Sequence, residues 1–247
     1  MDIKTWVNEH YDFVLQHNKE SQILGVFLYG SQNYNLHTEE SDVDTKAIYI
    51  PTLEELAFDK PISKQLDLPN GEHCEVKDIR EMIKNFKKQN INFIELLFTD
   101  YCIINEKYAK LWHEYFIVPR EAIARYNPHQ AVQSMSHQAL HTLRQAANGT
   151  DSAKKIANSL RLVYFLERYL RGDDYISCLV PEGEALKAMR SIKKSEYDDY
   201  FLAYQILRTS LENYASGNYE HLTNKDAQIH FDELMRKGAL EMIKLNF

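Results

Sequence analysis

The chain has 247 residues, 44% of them hydrophobic, and a formal charge of −7. That is enough apolar material for one large domain or two small ones, and the acidic balance excludes a broad basic surface for non-specific duplex binding. Three cysteines, Cys74, Cys102 and Cys178, are far apart and odd in number, which argues against a disulfide framework and for reduced thiols. The opening MDIKTWVNEHYDF has no leader-like apolar run, and no stretch approaches the ~20 apolar residues of a membrane helix. The expectation is a cytoplasmic protein with no membrane partner.

Residues 3–18 set Trp6, Val7, His10, Phe13 and Val14 on one helical stripe. ILGVFLY, 23–29, reads as a buried strand ending at Gly30. Residues 32–38 read as a turn or the start of a short helix. VDTKAIYI, 43–50, reads as a second strand stopped by Pro51. Residues 51–71 look irregular, with a turn at Asn70-Gly71. A third strand is predicted over 72–76 and a helix over 77–89, with Ile79, Met82, Ile83 and Phe86 on its apolar face. INFIELLF, within 91–98, reads as a short buried helical segment.

Beyond residue 107 strand signals fade and amphipathic helical patterns follow at 107–116, 128–148, 152–171, 183–193, 196–215 and 224–244. Asn148-Gly149 and Arg171-Gly172 read as helix stops. The predicted fold is α+β: a mixed sheet with flanking helices over 1–105, then a mostly helical domain over 106–247 that closes a cleft.

The chemistry concentrates in LYGSQNYNLHTEESDVDTKAIYI. Strand alternation would give Asp42, Asp44 and Lys46 one face and Val43, Thr45 and Ala47 the other. Two carboxylates at i and i+2 repel unless a proton or a cation intervenes. They are either turn residues at a strand mouth or ligands, and oxygen-only ligands favour Mg²⁺ or Mn²⁺. Gly30-Ser31 follows a strand. There glycine lets backbone approach a phosphate, a following helix N-terminus would favour an anion, and the serine hydroxyl adds a donor.

Gly30-Ser31, ten residues, then Asp42-Val43-Asp44 resembles the G[S/G]…DxD signature of the DNA polymerase β-like nucleotidyltransferase superfamily. Tyr34, Asn35, Leu36, Thr38, Ser41, Asp42, Asp44, Lys46 and Pro51 are similar to the narrower RlaP/YcgL-like group of predicted nucleotidyltransferases associated with RNA repair. The match is closest over the first hundred residues. This resemblance implies a nucleotidyltransferase fold with Asp42, Asp44 and a third carboxylate as catalytic metal ligands. CEVKDIREMI followed by NINFIELLF makes Glu75 that third carboxylate, with Asp78 capping the next helix instead. The resemblance also gives Gly30, Ser31, Tyr34, Asn35, Lys46, Lys155 and Arg161 nucleotide-binding roles. Lys46 reads equally as a phosphate neutraliser or as an ordinary ion pair.

Other residues invite plainer readings. Glu95, an acid in an apolar segment, reads either as a buttress of the site or, preferred, as the one exposed face of an amphipathic helix. Lys154, Asn158, Arg161 and Arg168 recur at helical offsets, as either a nucleotide-facing edge or a solvated face. His137 and His141, four apart without a third ligand, read as a surface or core pair. Tyr164, Tyr169, Tyr197, Tyr200 and Tyr204 read as helix packing.

The function expected is metal-dependent transfer of an NMP from an NTP to a hydroxyl acceptor, with release of pyrophosphate. The resemblance implies an RNA end, such as tRNA or short RNA, as the acceptor. A protein acceptor, as in an AMPylating regulatory or antitoxin-type enzyme, is the first alternative. A non-catalytic nucleotide- or partner-binding module is the second.

Overall fold

The computed structural model describes residues 2–38, 41–149, 151–194 and 200–247. Helix α1 (Ile3–His17) buries Val7, His10 and Val14, the expected stripe. Five strands make one mixed sheet: β1 (Ile23–Tyr29), β2 (Asp44–Tyr49), β3 (Ser63–Asp67), β4 (His73–Asp78) and β5 (Cys102–Ile104). Their order is β3-β4-β2-β1-β5. β1 pairs antiparallel with β2 and β5, and β2 pairs parallel with β4. The predicted α+β class is the one observed.

Two strands lie where no strand was expected. SKQLD is polar and mostly exposed, so it lacks the alternation that marks a strand. It forms because the Asn70-Gly71 turn, with Gly71 at φ +89°, folds it back onto β4. Its charged, exposed character suits a sheet edge. The other unforeseen strand, β5, has only three residues and adds to the opposite edge. Between β2 and β3, α2 (Leu53–Ala57) begins with a Thr52–Glu55 capping box.

Helix α3 (Ile79–Lys87) starts two residues later than expected, because β4 runs on through Asp78. Asp78 is then its N-cap, accepting from the Arg80 amide at 2.8 Å. α4 (Ile91–Ile94) and a 3₁₀ turn over Glu95–Leu97 form the buried helical segment. The rest is helical: α5 (Glu106–Trp112), α6 (Arg120–Arg125), α7 (Pro128–Ala147), α8 (Ser152–Arg171), α9 (Tyr175–Leu179), α10 (Gly183–Lys193), α11 (Tyr200–Ser216) and α12 (Lys225–Lys244). The five residues before α11, Tyr197 among them, and the side chain of Tyr200 lie outside what is described. Tyr169 is buried as packing material. His137 and His141 are both exposed.

The sheet has two different sides. α1 covers one, packing Val7 and Val14 against Val26, Leu28, Ala47 and Val76. On the other, Leu24, Phe27, Ile48 and Ile50 join a continuous apolar cluster that runs through α3, α7 and α8 to Ile243. All three cysteines are free. Among the described residues no helix is long and apolar enough to cross a membrane.

Candidate active site

Of the two readings of the segment after β1, a turn or a short helix start, the structure shows the turn. Asn33 N–H donates to the Gly30 carbonyl at 2.9 Å, and Leu36 N–H to that of Ser31 at 3.0 Å. Asn35 sits at φ +60°, a left-handed conformation that a right-handed helix does not continue through. The anion-favouring field of a helix N-terminus is therefore absent here.

Gly30, at φ +83°, turns the chain beside β2. A Cβ on it would stand 3.2 Å from Asp44 Oδ2. The missing side chain is what lets the turn lie against the carboxylate. The Ser31 hydroxyl is half-buried and has no partner among the described residues.

Asp42 and Asp44 do not share a strand, since β2 begins at Asp44 and Asp42 sits exposed just ahead of it. Asp44 is paired in register with His73, whose Nε2 lies 3.3 Å from Oδ1. Burial pushes the Asp44 carboxyl up; His73, Lys46 and Lys154 pull it down, and Asp42 adds to the rise.

Glu75 faces Lys46 across the parallel β2–β4 ladder. Its carboxylate accepts from the Tyr29 hydroxyl at 2.9 Å and lies 3.7 Å from Lys46 Nζ and 3.4 Å from Lys77 Nζ. Burial works against its charge, but Lys46, Tyr29 and Lys77 outweigh it and hold the group below the usual carboxylate range. Cys74 and Val76 point to the α1 side, as expected. Asp78 is fully buried and held by Arg80 at 2.7 Å, away from this group.

Lys46 is 3% exposed, with its ammonium 3.0 Å from the Tyr29 ring centroid. Burial lowers its pKa to about 8, against the pull of Glu75, Glu95 and Asp44. Between the two sequence readings, the geometry shows the ion pair, made with Glu75.

Glu95 corrects the expectation of an exposed helix face: it is 2% exposed. The segment's last turn tightens to 3₁₀ and packs on both sides, which leaves no solvent face. Burial pushes the carboxyl up to about 7, against Arg161, Lys46, the Gly30 amide and the Asn33 side chain. Arg161 is 4% exposed, with its guanidinium 4.0 Å above the Tyr34 ring. Its Nε and Nη1, Asn33 Nδ2 and Glu95 Oε2 are all buried without a hydrogen-bond partner.

From α10, Arg190 Nε donates to the Asn35 carbonyl at 3.0 Å, and Lys193 Nζ to that of Leu36 at 2.5 Å. Lys154 is exposed and near enough to lower both the Asp44 carboxyl and the Lys193 amine. Lys155 is half-buried on the same helix. So Gly30, Tyr34, Arg161 and Glu95 meet at one end of the sheet, beside Asp44, Lys46 and Glu75. His73, Asn33, Arg190 and Lys193 escaped the sequence reading. His73 alone left a trace there, two residues from Glu75 on the same strand face.

Asp42 and Asp44 offer an all-oxygen donor pair that suits a hard divalent cation. Among the described residues no three His, Cys, Asp or Glu side chains are grouped to hold one ion. Glu75 is engaged by Tyr29, Lys46 and Lys77 instead.

No protein-family model matches the chain, and no curated protein does. Among solved structures it is similar to a nucleotidyltransferase-like protein from Exiguobacterium sibiricum 255-15. The two are 13% identical over all of this chain and 79% of that one, with a TM-score of 0.32.

Proposed function

We propose that this chain is a metal-dependent nucleotidyltransferase. It moves a nucleoside monophosphate from an NTP to a hydroxyl acceptor, an RNA end such as that of tRNA or a short RNA, and releases pyrophosphate. One contact carries the reading: Gly30, bare of side chain, lies against the Asp44 carboxylate. A phosphate-ready turn and a metal-ready carboxylate in contact are the minimum kit for this chemistry.

Asp42 and Asp44 would hold Mg²⁺ or Mn²⁺, and Glu75 would serve as the third carboxylate by exchanging its Lys46 and Lys77 contacts for the ion. The bound ion would polarise the α-phosphate and favour ionisation of the acceptor hydroxyl. The Ser31 hydroxyl, without a partner among the described residues, would donate to a phosphate oxygen. Tyr34 and Asn35 shape the turn, while Lys155 and Arg161 on α8 carry positive charge toward the nucleotide. Lys46 offsets Glu75 and sits in the field of Asp44. The helical half, 106–247, closes the cleft over residues 1–105. Lys154, Arg190 and Lys193 give an acidic chain one local basic rim, and an RNA end needs only a few phosphate contacts.

The test incubates the protein with Mg²⁺ or Mn²⁺ and each α-labelled NTP, with tRNA, short RNA or no acceptor. Label on RNA supports the proposal and names the base. Label on protein alone replaces the RNA acceptor with a protein one. NTP binding without any transfer refutes the enzyme.

A further inference from the structure

None of the described residues between Gly30 and Asp44 belongs to a helix or a strand. This segment joins the turn at Gly30-Ser31 to Asp42 and Asp44, and a stretch without a backbone ladder opens locally unless specific contacts hold it. Its own bonds are short-range. Leu36 N–H donates to the Ser31 carbonyl at 3.0 Å, and Ser41 N–H to that of Thr38 at 3.0 Å. The Ser41 hydroxyl accepts from the Thr38 amide at 2.8 Å and lies 3.1 Å from the Thr38 hydroxyl. These bonds make two knots, one on Ser31 and one beside Asp42. None of them joins the first knot to the second.

The join comes from the helical half. Lys193 Nζ lies 2.5 Å from the Leu36 carbonyl oxygen and 3.3 Å from Ser41 Oγ, so one ammonium spans both knots. Lys193 is half-buried at the end of α10, which is seated by its buried Met189 and Ile192 and packs on α8. Arg190, nearly one turn earlier, takes the Asn35 carbonyl at 3.0 Å. On the inner side Leu36 is 1% exposed within the apolar cluster. An ammonium has three donors to share, and a charged donor bonds roughly twice as strongly as a neutral one. We infer that Lys193 is a positioning residue: it fixes the turn at Gly30-Ser31 at a set distance from Asp42, so that NTP phosphates and metal ion bind as one unit. This rests on the reading of that turn as the phosphate site and of Asp42 and Asp44 as metal ligands.

Three roles for this lysine leave different marks. A lysine that touched the triphosphate itself would raise NTP affinity with the ion or without it. A lysine that only propped up α10 would leave the nucleotide alone. A clasp between the two knots acts on the coupling between metal and nucleotide. When the knots drift apart, the phosphates and the carboxylates no longer meet in one geometry, and the loss falls on the metal-bridged complex.

The test compares wild type with Lys193→Met, which keeps the stem and loses the donors, and with Lys193→Arg, which keeps donors and charge. Hydrogen exchange without nucleotide comes first. In Lys193→Met the Leu36 and Ser41 amides should exchange about tenfold faster, with the β1 and β2 amides unchanged, and Lys193→Arg should restore the protection. Unchanged exchange at Leu36 and Ser41 in Lys193→Met overturns the inference. Binding of fluorescently labelled ATP is then measured with Mg²⁺ and with EDTA. Lys193→Met should weaken binding about tenfold with Mg²⁺ and less than about twofold with EDTA. Equal weakening in both makes Lys193 a phosphate contact and overturns the inference, as does no weakening in either. Should Lys193→Met lose the protection of the sheet and so fail to fold, Ser41→Ala, which removes the second anchor, takes its place in the comparison of Mg²⁺ with EDTA, read in the same way. If labelled ATP does not bind wild type, the proposed function fails, and exchange alone decides whether Lys193 clasps the segment.

Discussion

Strand β2 carries buried polar groups toward both sides of the sheet, and the two sides are finished differently. On the α1 side, His10 is fully buried, with Nδ1 2.7 Å from the Thr45 hydroxyl and Nε2 2.9 Å from Glu72. Asn70 donates to the same Glu72 carboxylate at 2.8 Å. Every polar ring atom is used. On the other side, Lys46 and Glu75 are paired, but Glu95, Arg161 and Asn33 keep unpartnered atoms. Each such atom costs about 1–3 kcal/mol. The α1 side closes its polar groups on one another, whereas the other side keeps buried atoms without partners.

That contrast can be broken from either side. On the proposed function, Asp44→Asn should cut transfer by about a thousandfold or more, since its carboxylate would be the metal ligand beside the turn. It should leave the melting temperature unchanged or raised, because burial already disfavours the charge. His10→Ala should do the reverse. It should destabilise by about 2–4 kcal/mol through a cavity and the stranded Thr45 and Glu72, with transfer per folded molecule unchanged. Chemical denaturation and initial rates together separate the two.

Glu75 and Asp78 sharpen the comparison along a single strand. Glu75→Gln should lower the rate by about ten- to a hundredfold. Asp78→Asn should instead lose about 1–2 kcal/mol of stability, as a weakened cap and a broken Arg80 pair. A larger rate loss at Asp78 would transfer the third-carboxylate role to it. The smallest effect belongs to Arg161→Met, about tenfold in nucleotide affinity, with stability changed by less than about 1 kcal/mol because a buried unpaired cation is replaced by an apolar chain.

Much of the open side was legible in the sequence. The spacing of Gly30, Asp42 and Asp44, and the strand-then-helix pattern around Glu75, carry the signal locally. Asp78 as a helix cap was equally local. What the sequence could not reveal depends on register and on distant chain. His73 meets Asp44 only because β2 and β4 run parallel in that register. Glu95 looked exposed because its partners, Arg161 and Lys46, come from other elements. The segment after Ser31 stayed open between a turn and a helix start because Asn35 gives no warning, in sequence, of its left-handed backbone. β3 lacked any strand pattern, since its pairing is imposed by the turn that follows it.

The most direct measurement compares wild type and Asp44→Asn side by side, with Mg²⁺, α-labelled NTPs and tRNA, after matching their thermal melts. Label should pass to RNA with wild type and not with the variant, while both remain folded. Label passing equally with both, or with neither, would contradict the assignment of this side of the sheet to nucleotidyl transfer.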